Sequence, residues 1–246
     1  MSELIEAIRA ESTEAVITLL RAGADPNEID DKDISIYVGP NQDPISWPRA
    51  DPALICAIEK IEQPEWLQAK DQYIYPVDWL IGPHKHATEN TSIVNALLDF
   101  GADVNSRNRR GEPALSIAAI QGKLAIVQCL LRRGANVNIT DSNGNTCVHY
   151  ACWNQQFVKA IVSELLKYGA DINQSNGNGI TPLMISLENK PGTVKMLLQV
   201  GADPRLADKE GHNALDRART QKRHPQVLRL LEDAVNGKLL PSKKHK

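Results

Sequence analysis

The sequence is short of the features that build membrane spans, redox centres and most active sites. No run of ~18 apolar residues occurs, so no membrane-crossing helix is expected. The net charge is only −2, which gives neither the basic field that attracts nucleic acid nor a strongly acidic one. The opening Met1-Ser2-Glu3-Leu4-Ile5 lacks the charged-then-apolar layout of a secretory leader. There are four cysteines, Cys56, Cys129, Cys147 and Cys152, all within helical patterns. They read as small, reduced core residues of a cytoplasmic protein, in its own cell or in a host cytosol. The phosphate loop G-x-x-x-x-G-K-S/T, the nucleophile elbow G-x-S-x-G and the zinc motif H-E-x-x-H are all missing. The expectation is a chain without catalysis, cofactor or metal.

What the chain does contain is a phrase said five times. It reads LLRAGADPN from Leu19, LLDFGADVN from Leu97, LLRRGANVN from Leu130, LLKYGADIN from Leu165 and LLQVGADPR from Leu197. Its glycines, Gly23, Gly101, Gly134, Gly169 and Gly201, stand 78, 33, 35 and 32 residues apart. A second phrase precedes the later copies: GEPALSIAA at Gly111, GNTCVHYAC at Gly144, GITPLMISL at Gly179 and GHNALDRAR at Gly211. DPALICAIE at Asp51 is a weaker form. A fixed period of this length means stacked supersecondary units rather than one globular core.

The residues support that reading individually. Leu115, Ala118 and Ala119 recur at helical spacing, as do Ile126, Leu130 and Leu131. The first helix offers small residues for close approach, and the second offers leucines that fill the layer. Gly134 follows the second helix, where a left-handed residue ends it without a Cβ penalty. The Asn and Asp residues beyond it suit a turn by bonding their own backbone. Pro182 occupies a first helical turn, where its missing amide costs nothing. The two phrases at this period resemble the ankyrin repeat, most closely at Thr181-Pro182-Leu183 and at Thr146 to Ala151. The resemblance implies an all-α solenoid of helix–turn–helix units with β-turn tips.

The expected units are 1–30, 31–105, 106–139, 140–174, 175–206 and 207–236, followed by a basic, flexible tail at 237–246. Ser2 is placed to cap the first helix. The second unit carries two insertions, near 31–50 in the turn and near 61–90 between its helices, about 45 residues in all. Six aromatics fall there: Tyr37, Trp47, Trp66, Tyr73, Tyr75 and Trp79. Two readings of them stay open. They bury the insertions against the stack, or some of them, Trp66, Trp79, Tyr73 and Tyr75, anchor a partner. The region 31–90 is acidic and the end of the chain from Gly211 is basic.

The resemblance implies an adaptor that binds another protein through the turn tips and first helices on a concave face. Matching positions are Arg109, Arg110, Glu112, Ile120 and Gln121 in the third unit. In the fourth they are Ser142, Asn143, Asn145, Trp153 and Asn154. In the fifth they are Asn178, Ile180, Glu188 and Asn189, and in the sixth Lys209, Glu210 and His212. Trp153 is the leading candidate, against packing on a neighbouring helix. Cys147, His149 and Cys152, and the pair His84 and His86, lack a full zinc ligand set. His149 holds the family's signature position, which bonds neighbouring turn backbone. A monomer without nucleic-acid or membrane partners is expected. The alternatives are a bacterial effector, or an enzyme-like activity housed in the insertions.

Overall fold

A computed structural model describes residues 3–27, 29–30, 51–52, 54, 57–58, 91–108, 110–154, 157–221 and 223–238. Both insertions, Arg109, Ser2, His84, His86 and the end of the tail lie outside the described residues, and with them Trp66, Tyr73, Tyr75 and Trp79. The chain is all-α in class and divides into two compact units built from one helical repeat. Unit 1 comprises 1–118 and 125–135; unit 2 comprises 119–124 and 136–246.

In unit 1, α1 (Glu3–Arg9) packs on α2 (Thr13–Arg21). The hydroxyl of Ser12 accepts the Ala15 amide at 3.3 Å and starts α2. Leu4, Ile5, Ile8, Val16 and Leu20 are buried between the helices. The strands β1 (Ile29–Asp30) and β2 (Asp51–Pro52) pair antiparallel, so the chain leaves at Asp30 and returns beside it at Asp51. Leu54 and Ile58, one helical turn apart, are buried.

The helix α3 (Thr91–Asp99) packs directly on α2 despite the sequence between them. Asn27 seals this junction. Its Nδ2 donates to the Gly101 carbonyl at 3.2 Å, and its Oδ1 accepts the Asp103 amide at 2.7 Å. A step of 78 residues in sequence is thus a single step between neighbouring repeats in space. From α4 (Ala114–Ile120) unit 1 holds Ala114 to Ala118, and it holds nearly all of α5 (Leu124–Arg132). Arg133, just past α5, is ion-paired with Asp99 of α3 at 2.5 Å.

Unit 2 contains α6 (Cys147–Trp153), α7 (Val158–Lys167), α8 (Pro182–Ile185), α9 (Pro191–Gln199), α10 (Ala214–Thr220) and α11 (Pro225–Val235). A 3-10 turn, Ser186–Glu188, extends α8. First helices stack on first helices, α6 on α8 on α10, and second helices stack as α7, α9 and α11. Small Ala151 and Ala218 are fully enclosed in the first layer; Leu165, Leu197 and Leu231 fill the second. Each such leucine contributes about 1.5–3 kcal/mol by leaving water.

Most letters of the repeated phrase have a physical task. The carbonyls of Leu130 and Leu131 accept the amides of Ala135 and Gly134 at 3.0 and 3.1 Å. Gly134 takes φ +84°, the left-handed conformation that this helix ending requires. Asn136 then bonds the amide of Asn138 at 3.1 Å, shaping the turn. Finally Asn138 reaches the next repeat, donating to the Gly169 carbonyl at 3.2 Å and accepting the Asp171 amide at 3.1 Å. Asn173 repeats this with Gly201 and Asp203. In the last copy Arg205 replaces asparagine, and its guanidinium donates to the Val235 carbonyl at the end of α11 at 2.7 Å.

Candidate protein-interaction surface

Each regular turn tip is organised by one Asn or Asp side chain. A single oxygen of Asn108 accepts the amides of Arg110 and Glu112 at 3.0 and 2.9 Å. Asp141 takes Asn143 and Asn145, both at 2.8 Å. Asn176 takes Asn178 and Ile180, and Asp208 takes Glu210 and His212. In unit 2 the tips are also bonded to one another. The Gly177 amide donates to the Asn143 carbonyl at 2.7 Å, and the Lys209 amide donates to the Asn178 carbonyl at 3.1 Å. The result is a backbone edge whose shape is set before any partner arrives. Ser142, Asn143, Asn178, Lys209, Glu210 and His212 project from it and are exposed.

Behind the edge, a buried polar network holds α6. Asp141 Oδ2 accepts from Tyr150 Oη and from Asn145 Nδ2, both at 2.8 Å. Asn145 Oδ1 accepts in turn from Asn176 Nδ2 at 2.8 Å. The edge of one ring meets the face of the other between Tyr150 and Trp153, with centroids 5.1 Å apart. Trp153 is half-buried. His149 Nδ1 accepts the Thr146 amide at 3.1 Å, so Nε2 carries the proton and donates to the Ile180 carbonyl at 3.0 Å. Burial holds its pKa below the usual histidine value. The signature histidine therefore links two repeats as a neutral ring.

Several positions that the sequence marks as contacts are engaged inside the protein. Asn154 is only 7% exposed. Its Nδ2 donates to the Ile120 carbonyl at the end of α4 at 2.8 Å, and its Oδ1 accepts the Phe157 amide at 3.0 Å. Asn189 does the same for the next repeat, donating to the Cys152 carbonyl at 2.6 Å. Asn145 is buried in the network above. Each of these asparagines is hydrogen-bonded to a neighbouring repeat. Ile120, Gln121, Glu112 and Ile180 are half-buried, and Arg110 is exposed. Glu188 is exposed and paired with Arg223 at 3.0 Å.

Phe157, 47% exposed at the start of α7, is a surface aromatic that the sequence does not mark. Its ring lies over Gly122, where a Cβ would come within 2.6 Å of it. A single aromatic outside the repeated phrases carries no periodic signal.

The described residues hold little reactive chemistry. Burial pushes the thiols of Cys147 and Cys152 up to about 12, so neither offers a thiolate. Cys147 Sγ donates to the Val137 carbonyl at 2.9 Å. Asp208, Glu210 and His212 bring ligand-type atoms within 4.8 Å of one another. Asp208 is already occupied: one oxygen holds two amides, and the other accepts Arg217 Nε at 2.6 Å. Burial alone would raise its carboxyl; the His212 and Glu210 amides and Arg217 outweigh this and hold it below the ordinary range. An open depression of about 580 Å³ on α1 and α2, lined by Glu3, Ala7, Ser12, Glu14, Ala15, Thr18 and Leu19, pairs no base with a nucleophile. Among the described residues no helix is long and apolar enough to cross a membrane.

The description of ankyrin repeats in three copies matches this sequence over residues 84–176 and 158–238, together more than half of it. The chain belongs to the ankyrin-repeat family. Ankyrin repeats suggest protein–protein interaction. Over 147 residues, 58% of this chain, the sequence is 35% identical to the mitochondrial disaggregase of Bos taurus, covering 21% of that protein. It is 28% identical over 145 residues, 58% of the chain, to the E3 ubiquitin-protein ligase hecd-1 of Caenorhabditis elegans, covering 4% of it. It is 40% identical over 88 residues, 30% of the chain, to Rabankyrin-5 of Mus musculus, covering 8% of it. The chain thus spans no more than about a fifth of the length of these relatives.

Proposed function

We propose that this ankyrin-repeat chain is a non-catalytic adaptor that binds another protein through the tip edge and first helices of its regular repeats. It acts as a cytoplasmic monomer. The observation that carries the reading is the bonded tip edge of unit 2, with Ser142, Asn143, Asn178 and Lys209 projecting from a fixed backbone. A surface already ordered loses little entropy when a partner binds. Trp153 supplies the aromatic anchor, held in a T-shaped contact with Tyr150. Ile120, Gln121, Ile180 and Glu188 are further contacts in this proposal, and Arg109 and Arg110 are contacts supplied by the third repeat. Asn145 and Asn154 act through the residues they position. The inserted aromatics Trp66, Tyr73, Tyr75 and Trp79 form a second contact element, which distinguishes this chain's partner from those of plain repeat stacks.

The test is affinity capture with the wild type, Trp153→Ala and Trp66→Ala/Trp79→Ala, each paired with a melting curve. The expected result is one protein that the wild type captures and the variants lose while each variant still melts cooperatively as a folded chain. Equal capture by all three chains would remove both surfaces from the reading.

A further inference from the structure

Three of the four Asn-Gly pairs in the chain lie at the tips of unit 2: Asn143-Gly144, Asn176-Gly177 and Asn178-Gly179. The fourth, Asn236-Gly237, ends α11. A glycine amide following asparagine is unhindered, so its nitrogen can attack the Cγ of the preceding side chain. The new N–Cγ bond closes a succinimide ring, the Cγ–Nδ2 bond breaks, and ammonia leaves carrying the amide proton. Water then adds to one of the two ring carbonyls and opens it to aspartate or isoaspartate. No oxidant or reductant is involved.

We propose that Asn143 and Asn178 are sites of spontaneous deamidation in the folded protein, and that Asn176 is shielded by the repeat stack. The dipeptide is the same at all three positions, and the difference lies in what holds the side chain and the following amide. Asn176 is immobilised by three hydrogen bonds: its Oδ1 accepts the amides of Asn178 and Ile180, and its Nδ2 donates to Asn145 of the neighbouring tip. Its would-be nucleophile, the Gly177 amide, is tied across to Asn143 at 2.7 Å. The side chains of Asn143 and Asn178 are exposed and outside that network, and the amides of Gly144 and Gly179 bond only within their own tips, to Asp141 and Asn176.

The modification would change the edge itself. Each event adds one negative charge to an exposed tip. The isoaspartate product also inserts a methylene into the main chain at a residue whose carbonyl receives the next tip's amide, from Gly177 or from Lys209. Those inter-tip bonds then lose register, and the edge softens as the protein ages.

The full chain is incubated in mildly alkaline buffer at physiological temperature, native and in denaturant, then digested. Tandem mass spectrometry locates each amide-to-acid exchange, and chromatography separates the isoaspartate peptides. Each hydrogen bond that must open slows the step by roughly fivefold, so Asn143 and Asn178 should outpace Asn176 by roughly a hundredfold in the native protein. Denaturant should collapse that gap. Conversion of Asn176 at the pace of the other two in native buffer overturns the proposal, as does a gap that persists in denaturant.

Discussion

Gly177 offers a direct test of whether close approach between tips holds this protein together. Its backbone is not left-handed, so alanine there meets no intrinsic conformational penalty. The difficulty is entirely tertiary. A Cβ on Gly177 would stand 2.7 Å from the Asn143 carbonyl oxygen, the same atom that accepts the Gly177 amide at 2.7 Å. Neither side can yield cheaply, because Asp141 and Asn176 pin both tips through paired amide bonds. Losing the bond costs about 0.5–1.5 kcal/mol, and the displaced backbone adds about 1–3 kcal/mol. Alanine returns about 0.4–1 kcal/mol by stiffening the unfolded chain. Gly177→Ala should therefore destabilise by about 1–3 kcal/mol, lowering the melting temperature by about 2–10 °C. Gly192, in the first turn of α9, is the matched control, because a Cβ there would meet no atom within 4 Å. Gly192→Ala should stabilise by about 0.5–1 kcal/mol. Circular dichroism melts and urea midpoints read both. A Gly177→Ala protein as stable as the wild type would refute the tip-contact argument.

The asparagine ladder predicts that Asn138→Ala, which removes two inter-repeat bonds, lowers stability by about 1–2 kcal/mol in a urea titration. Arg205→Ala, which removes one exposed bond to Val235, should cost less than about 1 kcal/mol by the same measurement. His149 favours the neutral ring in the fold, so its contribution is complete above the unfolded pKa near 6.5 and is lost as pH falls through the lower folded value. Urea midpoints followed over that window should decline for the wild type and flatten in His149→Gln.

Much of the fold was legible because ankyrin repeats use local chemistry. Leu130, Leu131, Gly134 and Asn136 act within a few residues of one another, so their spacing reports a helix end and a turn. Pro182 marks a first helical turn for the same reason. The site was less legible. Asn145, Asn154 and Asn189 look like contact residues by position, yet their amides are engaged by Asp141 and Asn176, by Ile120 and by Cys152. Those partners lie as far as 37 residues away, and no local pattern points to them. Phe157 is the opposite case, an exposed ring with nothing periodic to announce it.

The repeat, its helix ends and its turn chemistry follow from the order of residues, since hydrophobic periodicity and left-handed glycines depend only on neighbours in the chain. Which polar side chains remain for a partner is settled only in the folded stack. So is the meeting of Asn27 with Gly101 and Asp103 across the long interruption. The physical reason is that an asparagine amide bonds equally well to water, to its own turn or to the next repeat. Only the three-dimensional arrangement says which partner it has.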